Sequence, residues 1–142
     1  MDKSRREREL IYHRLYVPLP YSIPSVCAYC GLPSASLDHC PPLSTAYSFG
    51  TEYLIANKVS LYLIPSCFEC NVLLGSKVLL NYQERKAFIA KRLRRRYARI
   101  LKLPAWSDDD IDGLGRGLKS MVKTNESLRK LTVRRLAFAE ET

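Results

Sequence analysis

Hydrophobic and polar positions along the chain follow two periods, one typical of helices and one typical of strands. Apolar residues at helical spacing near the N-terminus predict a short amphipathic helix over residues 4–16. Branched and aromatic side chains concentrate at residues 59–64 and predict a strand. A shorter strand is predicted over 35–39, and a helix over 67–74 follows the second strand. The pattern therefore predicts an α+β fold with a small sheet.

The longest helical pattern lies at residues 82–102. Ile89, Leu93 and Tyr97 recur every four residues and would form the packed side of this helix. Its other sides carry the cations Lys91, Arg92, Arg94, Arg95, Arg96 and Arg99. Guanidinium groups in such a cluster can bind phosphates, so we predict that this basic helix contacts nucleic acid.

The pattern changes after residue 103. Ser107 precedes three aspartates, and a serine N-cap with acids in the first turn is a common helix start. Glycines then weaken the helical pattern, and a last helix is predicted over 126–139. We interpret residues 103–142 as a helical annex of a single domain over 1–142, because about 40 residues do not close a core alone.

Charge is distributed unevenly along the chain. The 23 Lys and Arg residues exceed the 14 Asp and Glu residues, which leaves a formal net charge of +9. Residues 1–84 hold 7 basic and 7 acidic side chains, as do residues 103–142, whereas residues 85–102 hold 9 basic and none acidic. This surplus favours an anionic partner such as nucleic acid. A solvated helix face without a partner is the alternative.

Cysteines supply the strongest chemical signal. Cys27 and Cys30 form one CxxC pair, Cys67 and Cys70 form a second, and 36 residues separate the pairs. Four thiolates at this spacing can hold one tetrahedral Zn²⁺ with no open position, so the zinc would be structural. A disulfide pair and a CxxC redox centre are the alternatives. The fifth cysteine, Cys40, is expected to be a small buried side chain.

Length and hydropathy bound the class of protein. A chain of 142 residues suits one compact domain, and no apolar run approaches the roughly 20 residues that a membrane span needs. The first ten residues are charged rather than apolar, which argues against a secretory signal and an oxidising compartment. We therefore expect a soluble, cytoplasmic protein without a membrane partner.

Asp38 and His39 lie between the two CxxC pairs, and Asn71 directly follows the second. A neutral imidazole at His39 can take a proton from water near pH 7. Asp38 and Asn71 offer oxygen ligands suited to Mg²⁺ or Mn²⁺. Because adjacent strand residues face opposite ways, the strand must end or twist there if all three are to meet. Together they would form a site suited to metal-assisted hydrolysis.

These residues also have simpler interpretations. His39 could be a zinc ligand that replaces one thiolate, Asp38 could be a turn residue, and Asn71 could cap a helix. His13, the other histidine, lies in the Arg-rich N-terminal helix and is expected to be solvated.

Residues 27–77 resemble the HNH, or ββα-metal, endonucleases, and in particular the zinc-stapled phage type that includes recombination endonuclease VII. The resemblance rests on the string Asp38-His39-Cys-Pro-Pro, on the string Cys67-Phe-Glu-Cys-Asn, and on Asn57 as the middle asparagine. It implies a treble-clef-like ββα core with structural zinc, flanked by N-terminal and C-terminal helices.

The same resemblance implies a metal-dependent endonuclease that hydrolyses DNA. His39 would be the general base, Asp38 and Asn71 would bind a single Mg²⁺ or Mn²⁺, and Asn57 would brace the loop behind His39. A phage-encoded protein of this kind would act in the cytoplasm of the bacterial host. The helical annex could bind DNA, form a homodimer or contact a phage or host protein. The alternative is a non-catalytic, zinc-stabilised module that binds nucleic acid or protein, such as a phage-type regulator.

Overall fold

A three-stranded sheet surrounded by helices forms the fold, as given by a computed structural model that describes residues 3–141, with side chains from residue 5 onward. In chain order the elements are α1 (Lys3–His13), β1 (Val17–Pro18), β2 (Ser36–Cys40), α2 (Leu43–Phe49), α3 (Thr51–Ala56), β3 (Tyr62–Ser66), α4 (Phe68–Leu74), α5 (Tyr82–Arg96), α6 (Ala98–Leu101), α7 (Asp108–Asp112) and α8 (Arg116–Glu140). The predicted α+β class is confirmed.

β3 is the central strand of the sheet. β1 pairs with it in parallel and β2 pairs with it antiparallel, which gives the order β1-β3-β2. In the antiparallel pair Asp38 lies opposite Ile64 and His39 opposite Leu63. β2, β3 and α4 therefore follow one another in ββα order, with α2 and α3 inserted between the two strands.

The sheet separates two hydrophobic cores. Ile64 belongs to the larger core, which also contains the paired cysteines and apolar residues of α4, α5 and α8. Its neighbour Leu63 packs on a smaller core formed by Tyr16, Ala46 and Leu54. Because successive side chains of a strand point to opposite faces, β3 contributes to both. Asp38 and His39 of β2 likewise point to opposite faces of the sheet.

The predicted basic helix over 82–102 forms as two helices, α5 and α6. Asn81 begins α5, since its Oδ1 accepts a hydrogen bond from the backbone N–H of Glu84 at 2.9 Å. Ile89 and Leu93 face the larger core, as their spacing predicts. Tyr97 interrupts the helix with a ψ angle of 23°, and α6 continues directly after it.

The C-terminal annex contains a short helix and a long one. Ser107 caps α7 as predicted, with its Oγ accepting from the backbone N–H of Asp110 at 3.1 Å. The prediction that the last helix begins near residue 126 is wrong, because α8 already begins at Arg116. Gly115 is its N-cap and Gly117 lies in its first turn, so neither glycine interrupts the helix interior.

Two further differences concern the region between β2 and β3. The helices α2 and α3 were not predicted, and β3 begins at Tyr62 rather than at residue 59. The strand starts later because Val59 turns back towards α3, where its N–H donates to the carbonyl of Leu54 at 2.9 Å. None of the helices in the described part of the chain has both the length and the apolar character needed to cross a membrane.

Candidate metal centre

Four cysteine side chains converge where the CxxC turn at residues 27–30 meets the start of α4. The Sγ atoms of Cys27, Cys30, Cys67 and Cys70 all lie within 4.8 Å of one another, and all four residues are buried. Those of Cys30 and Cys67 are 3.7 Å apart, whereas a disulfide would bring them to about 2 Å. A tetrahedron with Zn–S bonds of about 2.3 Å has edges of about 3.8 Å. This four-cysteine cluster could therefore hold zinc.

Hydrogen-bond donors surround the sulfur atoms of the four-cysteine cluster. The backbone N–H of Cys70 donates to Sγ of Cys67, and Nη2 of Arg135 donates to Sγ of Cys30, both at 3.4 Å. Donors of this kind stabilise thiolates over thiols. The cluster thus fits a cation that binds thiolates, as zinc does.

Helix α8 packs directly on the four-cysteine cluster. The guanidinium group of Arg135 pairs with Glu69 at 2.6 Å and lies over the ring of Tyr97, 5.7 Å from its centroid. Gly31, directly after the first CxxC pair, has a φ of 81°, and a Cβ there would lie 3.1 Å from the ring of Phe138. The positive φ and the close contact both favour glycine at this position.

Asp38 forms a buried ion pair with Arg85. Nη2 of Arg85 is 2.8 Å from Oδ1 of Asp38, and Nε donates to Oδ2 at 3.0 Å. The hydroxyl of Tyr29 donates to the same Oδ2 at 2.6 Å. The side chain of Arg85 is 0% exposed and that of Asp38 is 5% exposed. Burial alone would lower the pKa of Arg85, but the charge of Asp38 and the contact with Tyr29 raise it instead.

This arrangement does not fit Mg²⁺ or Mn²⁺ at Asp38. Both carboxylate oxygens already accept hydrogen bonds from buried donors. The guanidinium charge of Arg85 occupies the position next to the carboxylate where a divalent cation would have to bind, and like charges repel strongly in a buried site. Asp38 therefore serves here as the counter-ion of Arg85.

His39 leaves β2 on the face opposite to Asp38. Its Nε2 lies 2.7 Å from Nδ1 of His13 in α1, and the ring of Tyr16 meets it edge-on. Burial, followed by the neighbouring His13, lowers the pKa of His39 from 6.5, while Asp38 opposes the shift. The neutral imidazole is thus the favoured form. His13 is exposed, as predicted, and its ring also contacts His39.

Of the two asparagines of the predicted site, Asn71 lies within a helix and Asn57 lies at the end of one. Nδ2 of Asn71, in α4, donates to Oγ of Ser36 at 3.2 Å. Asn71 is not a helix N-cap, since Cys67 caps α4. Asn57 follows α3, and its Nδ2 donates to the carbonyl of Tyr53 at 2.9 Å. Its amide is therefore engaged at the end of α3 rather than with the loop behind His39.

The predicted meeting of Asp38, His39 and Asn71 at one centre does not occur in the described chain. β2 keeps its pairing register through Cys40, so the strand ends one residue after His39 and not at it. Asn71 contacts Ser36, which shares a face of β2 with Asp38, whereas His39 points to the other face. His39 also lies outside the four-cysteine cluster, so it does not replace a thiolate.

The predicted phosphate contacts are all exposed, but they differ in their partners. Arg94 pairs with Glu140, and Arg96 pairs with Glu69 at 3.2 Å. Among the described residues no ion pair joins an acid to the remaining four, which are Lys91, Arg92, Arg95 and Arg99. We call these four the α5–α6 basic face.

Two arginines of this region were not singled out from the sequence. Arg85 lies four residues before Ile89, on the packed stripe of α5, and Arg135 lies beside Leu136 on the packed side of α8. An arginine at a core position of an amphipathic helix needs a buried acceptor. That spacing is the signal by which Arg85 could have been matched to a buried carboxylate.

Comparison of the chain with protein-family models, with curated proteins and with solved structures found no match.

The four-cysteine cluster predicts that the fold depends on a bound metal. We expect the wild-type protein to hold one zinc ion per chain, and Cys27→Ser to lose zinc and cooperative folding, because structural zinc contributes about 10–16 kcal/mol in small domains. Elemental analysis and thermal unfolding by circular dichroism measure both effects. Cys40→Ser is the matched control, since Cys40 is equally buried but lies outside the cluster. Equal zinc content in both variants would contradict the assignment.

The buried ion pair predicts a large cost for removing one partner. Arg85→Met leaves the Asp38 carboxylate buried without its cation, so the free energy of unfolding should fall by about 3–5 kcal/mol. Urea titration measures the change. Arg95→Met, in the exposed part of the same helix, should change it by no more than about 0.5 kcal/mol. Similar losses of unfolding free energy in the two variants would show that Arg85 does not stabilise the buried carboxylate of Asp38.

Proposed function

We propose that the protein is a zinc-stabilised module that binds nucleic acid through the α5–α6 basic face. The observation that carries the proposal is the set of four exposed cations, Lys91, Arg92, Arg95 and Arg99, which pair with no acid in the described chain. Unpaired cations in one cluster attract the phosphate backbone and release its counterions.

The fold holds this face towards solvent. Lys91 follows the buried Ile89 by two residues, which places it about 200° around the helix from the core. Arg95 lies one turn after Lys91 and therefore on the same side. The ion pair of Arg85 with Asp38 fixes α5 to the sheet. A rigid helix loses little conformational entropy when its cations bind phosphates.

The positions of Asp38 and His39 in the sheet favour binding of nucleic acid without hydrolysis. Asp38 is the counter-ion of Arg85, and His39 faces the opposite side of β2. A hydrolytic centre needs a base and a charge-stabilising group within reach of the same phosphate. The four-cysteine cluster, which offers four protein ligands, would leave zinc no open position for a substrate.

We expect the variant with Lys91→Gln, Arg92→Gln and Arg95→Gln to bind a duplex DNA oligonucleotide about tenfold or more weakly at about 100 mM salt. The slope of log K against log salt should fall in magnitude by about 3, since each lost phosphate contact removes about 0.9. Fluorescence anisotropy over a range of salt concentrations measures both quantities.

The control variant removes the same number of positive charges elsewhere, with Arg6→Gln, Arg14→Gln and Lys58→Gln, all exposed. It should keep nearly the wild-type slope. The proposal fails if the control variant loses as much as the α5 variant, or if wild-type binding does not depend on salt.

A second candidate function is a metal-dependent HNH-type endonuclease, favoured by the neutral state of His39. Burial keeps the pKa of this imidazole low, so it is ready to accept a proton near neutral pH. Turnover would require Arg85 to leave Asp38, so that the carboxylate becomes available beside Asn71. We therefore rank this function below binding.

Nicking of supercoiled plasmid in Mg²⁺ or Mn²⁺ separates the two candidates. If the protein only binds, the wild type and His39→Ala will both leave the plasmid intact while they retain DNA binding. Nicking by the wild type that His39→Ala abolishes would establish the endonuclease instead.

A further inference from the structure

Helix α8 carries a line of cations on its exposed side. Arg116, Lys123, Lys130 and Arg134 are all exposed and follow one another at intervals of seven, seven and four residues. These intervals return to the same side of an α-helix, and at 1.5 Å per residue the line is about 27 Å long. We call these four residues the α8 basic stripe.

The stripe has no acidic residue within it. α8 contains two acids, of which Glu126 is buried and bound by Arg129, and Glu140 lies at the helix end and pairs with Arg94. Residues 103–142 hold equal numbers of basic and acidic side chains, so their net charge gives no sign of this surface. Most of these acids lie in α7 and not in α8. The described chain records no ion pair for any member of the stripe.

The stripe points away from the rest of the protein. Leu136 and Ala139 face the core, and Arg94 and Tyr97 of the α5 region contact Glu140 and Arg135 of α8. Arg134 lies about 200° around the helix from Leu136. The α8 basic stripe is therefore a surface separate from the α5–α6 basic face.

We propose that the α8 basic stripe is a second nucleic-acid-binding surface, which contacts the phosphate backbone independently of α5. This inference rests on the proposed function, because it assumes the same class of partner. Duplex DNA carries one phosphate charge per about 1.7 Å of its axis, so a stripe of this length faces many phosphates. Ser120 and Ser127 lie between the cations and can donate further hydrogen bonds to phosphate oxygens.

An anionic lipid surface fits the stripe less well. A helix that lies in a membrane interface buries a wide apolar face in the lipid. Val122, Leu136 and Ala139 of α8 are buried against the protein. The exposed apolar residues of α8 lie beside the line of the stripe and not within it, and they are Leu118, Met121, Leu128, Leu131 and Val133. The exposed side of the stripe offers serine hydroxyl groups between its cations. The chemistry therefore favours a hydrated polyphosphate over a lipid bilayer.

The test compares three variants that each lose three positive charges. The α8 variant has Lys123→Gln, Lys130→Gln and Arg134→Gln, the α5 variant has Lys91→Gln, Arg92→Gln and Arg95→Gln, and the control has Arg6→Gln, Arg14→Gln and Lys58→Gln. Glutamine has good helix propensity, and all nine positions are exposed, so the folds should persist; circular dichroism checks this. The probe is a duplex DNA oligonucleotide, titrated from about 50 to about 200 mM salt.

We expect the α8 variant to reduce the salt slope by about 3, and the combination of the α8 and α5 variants to reduce it by about the sum of the two effects. If the salt slope of the α8 variant equals that of the control, the inference that the α8 basic stripe binds DNA is overturned. A reduced slope in the α5 variant would still support the proposed function in that case. The lipid alternative is tested by sedimentation with phosphatidylserine vesicles. If the wild type sediments with the vesicles, and the α8 variant loses this sedimentation but keeps its DNA binding, the stripe binds lipid and the inference is overturned.

Discussion

The ion pair of Asp38 with Arg85 is the constraint on which the arrangement of the molecule depends. A carboxylate and a guanidinium are both costly to bury alone, and together with the hydroxyl of Tyr29 they satisfy one another in the core. The pair joins β2 to α5, and Tyr29 connects both to the CxxC turn. Sheet, basic helix and metal centre thereby form one body whose parts hold fixed positions.

The regular strand β2 decides which polar groups act together. Because neighbours in a strand face opposite sides, Asp38 joins the core that contains the cysteines, and His39 joins α1 on the other side. Neither residue is free of partners, since Arg85 lies 47 residues from Asp38 and His13 lies 26 residues from His39. Both side chains therefore join the sheet to the helices that pack on it.

Local patterns in the sequence predicted much of this fold and less of the site. The CxxC spacing located four cysteines that converge, and the stripe of Ile89 and Leu93 located the packed face of α5. The same patterns could not tell whether Asp38 would face a metal or a guanidinium, because that depends on Arg85, which lies 47 residues later. Counting charges by segment likewise missed α8, since charge balance along a chain says nothing about which side of a helix each residue occupies.

The hydrogen bond from Arg135 to Cys30 links the chemistry of the sulfur atoms to the C-terminal helix. Zinc bound by four thiolates has a formal charge of about −2, and such electron-rich sulfur reacts readily with oxidants. A guanidinium donor withdraws electron density from the sulfur, and Phe138 covers the turn at Gly31. The reactivity of Cys30 towards oxidants should therefore depend on a residue 105 positions away in the chain.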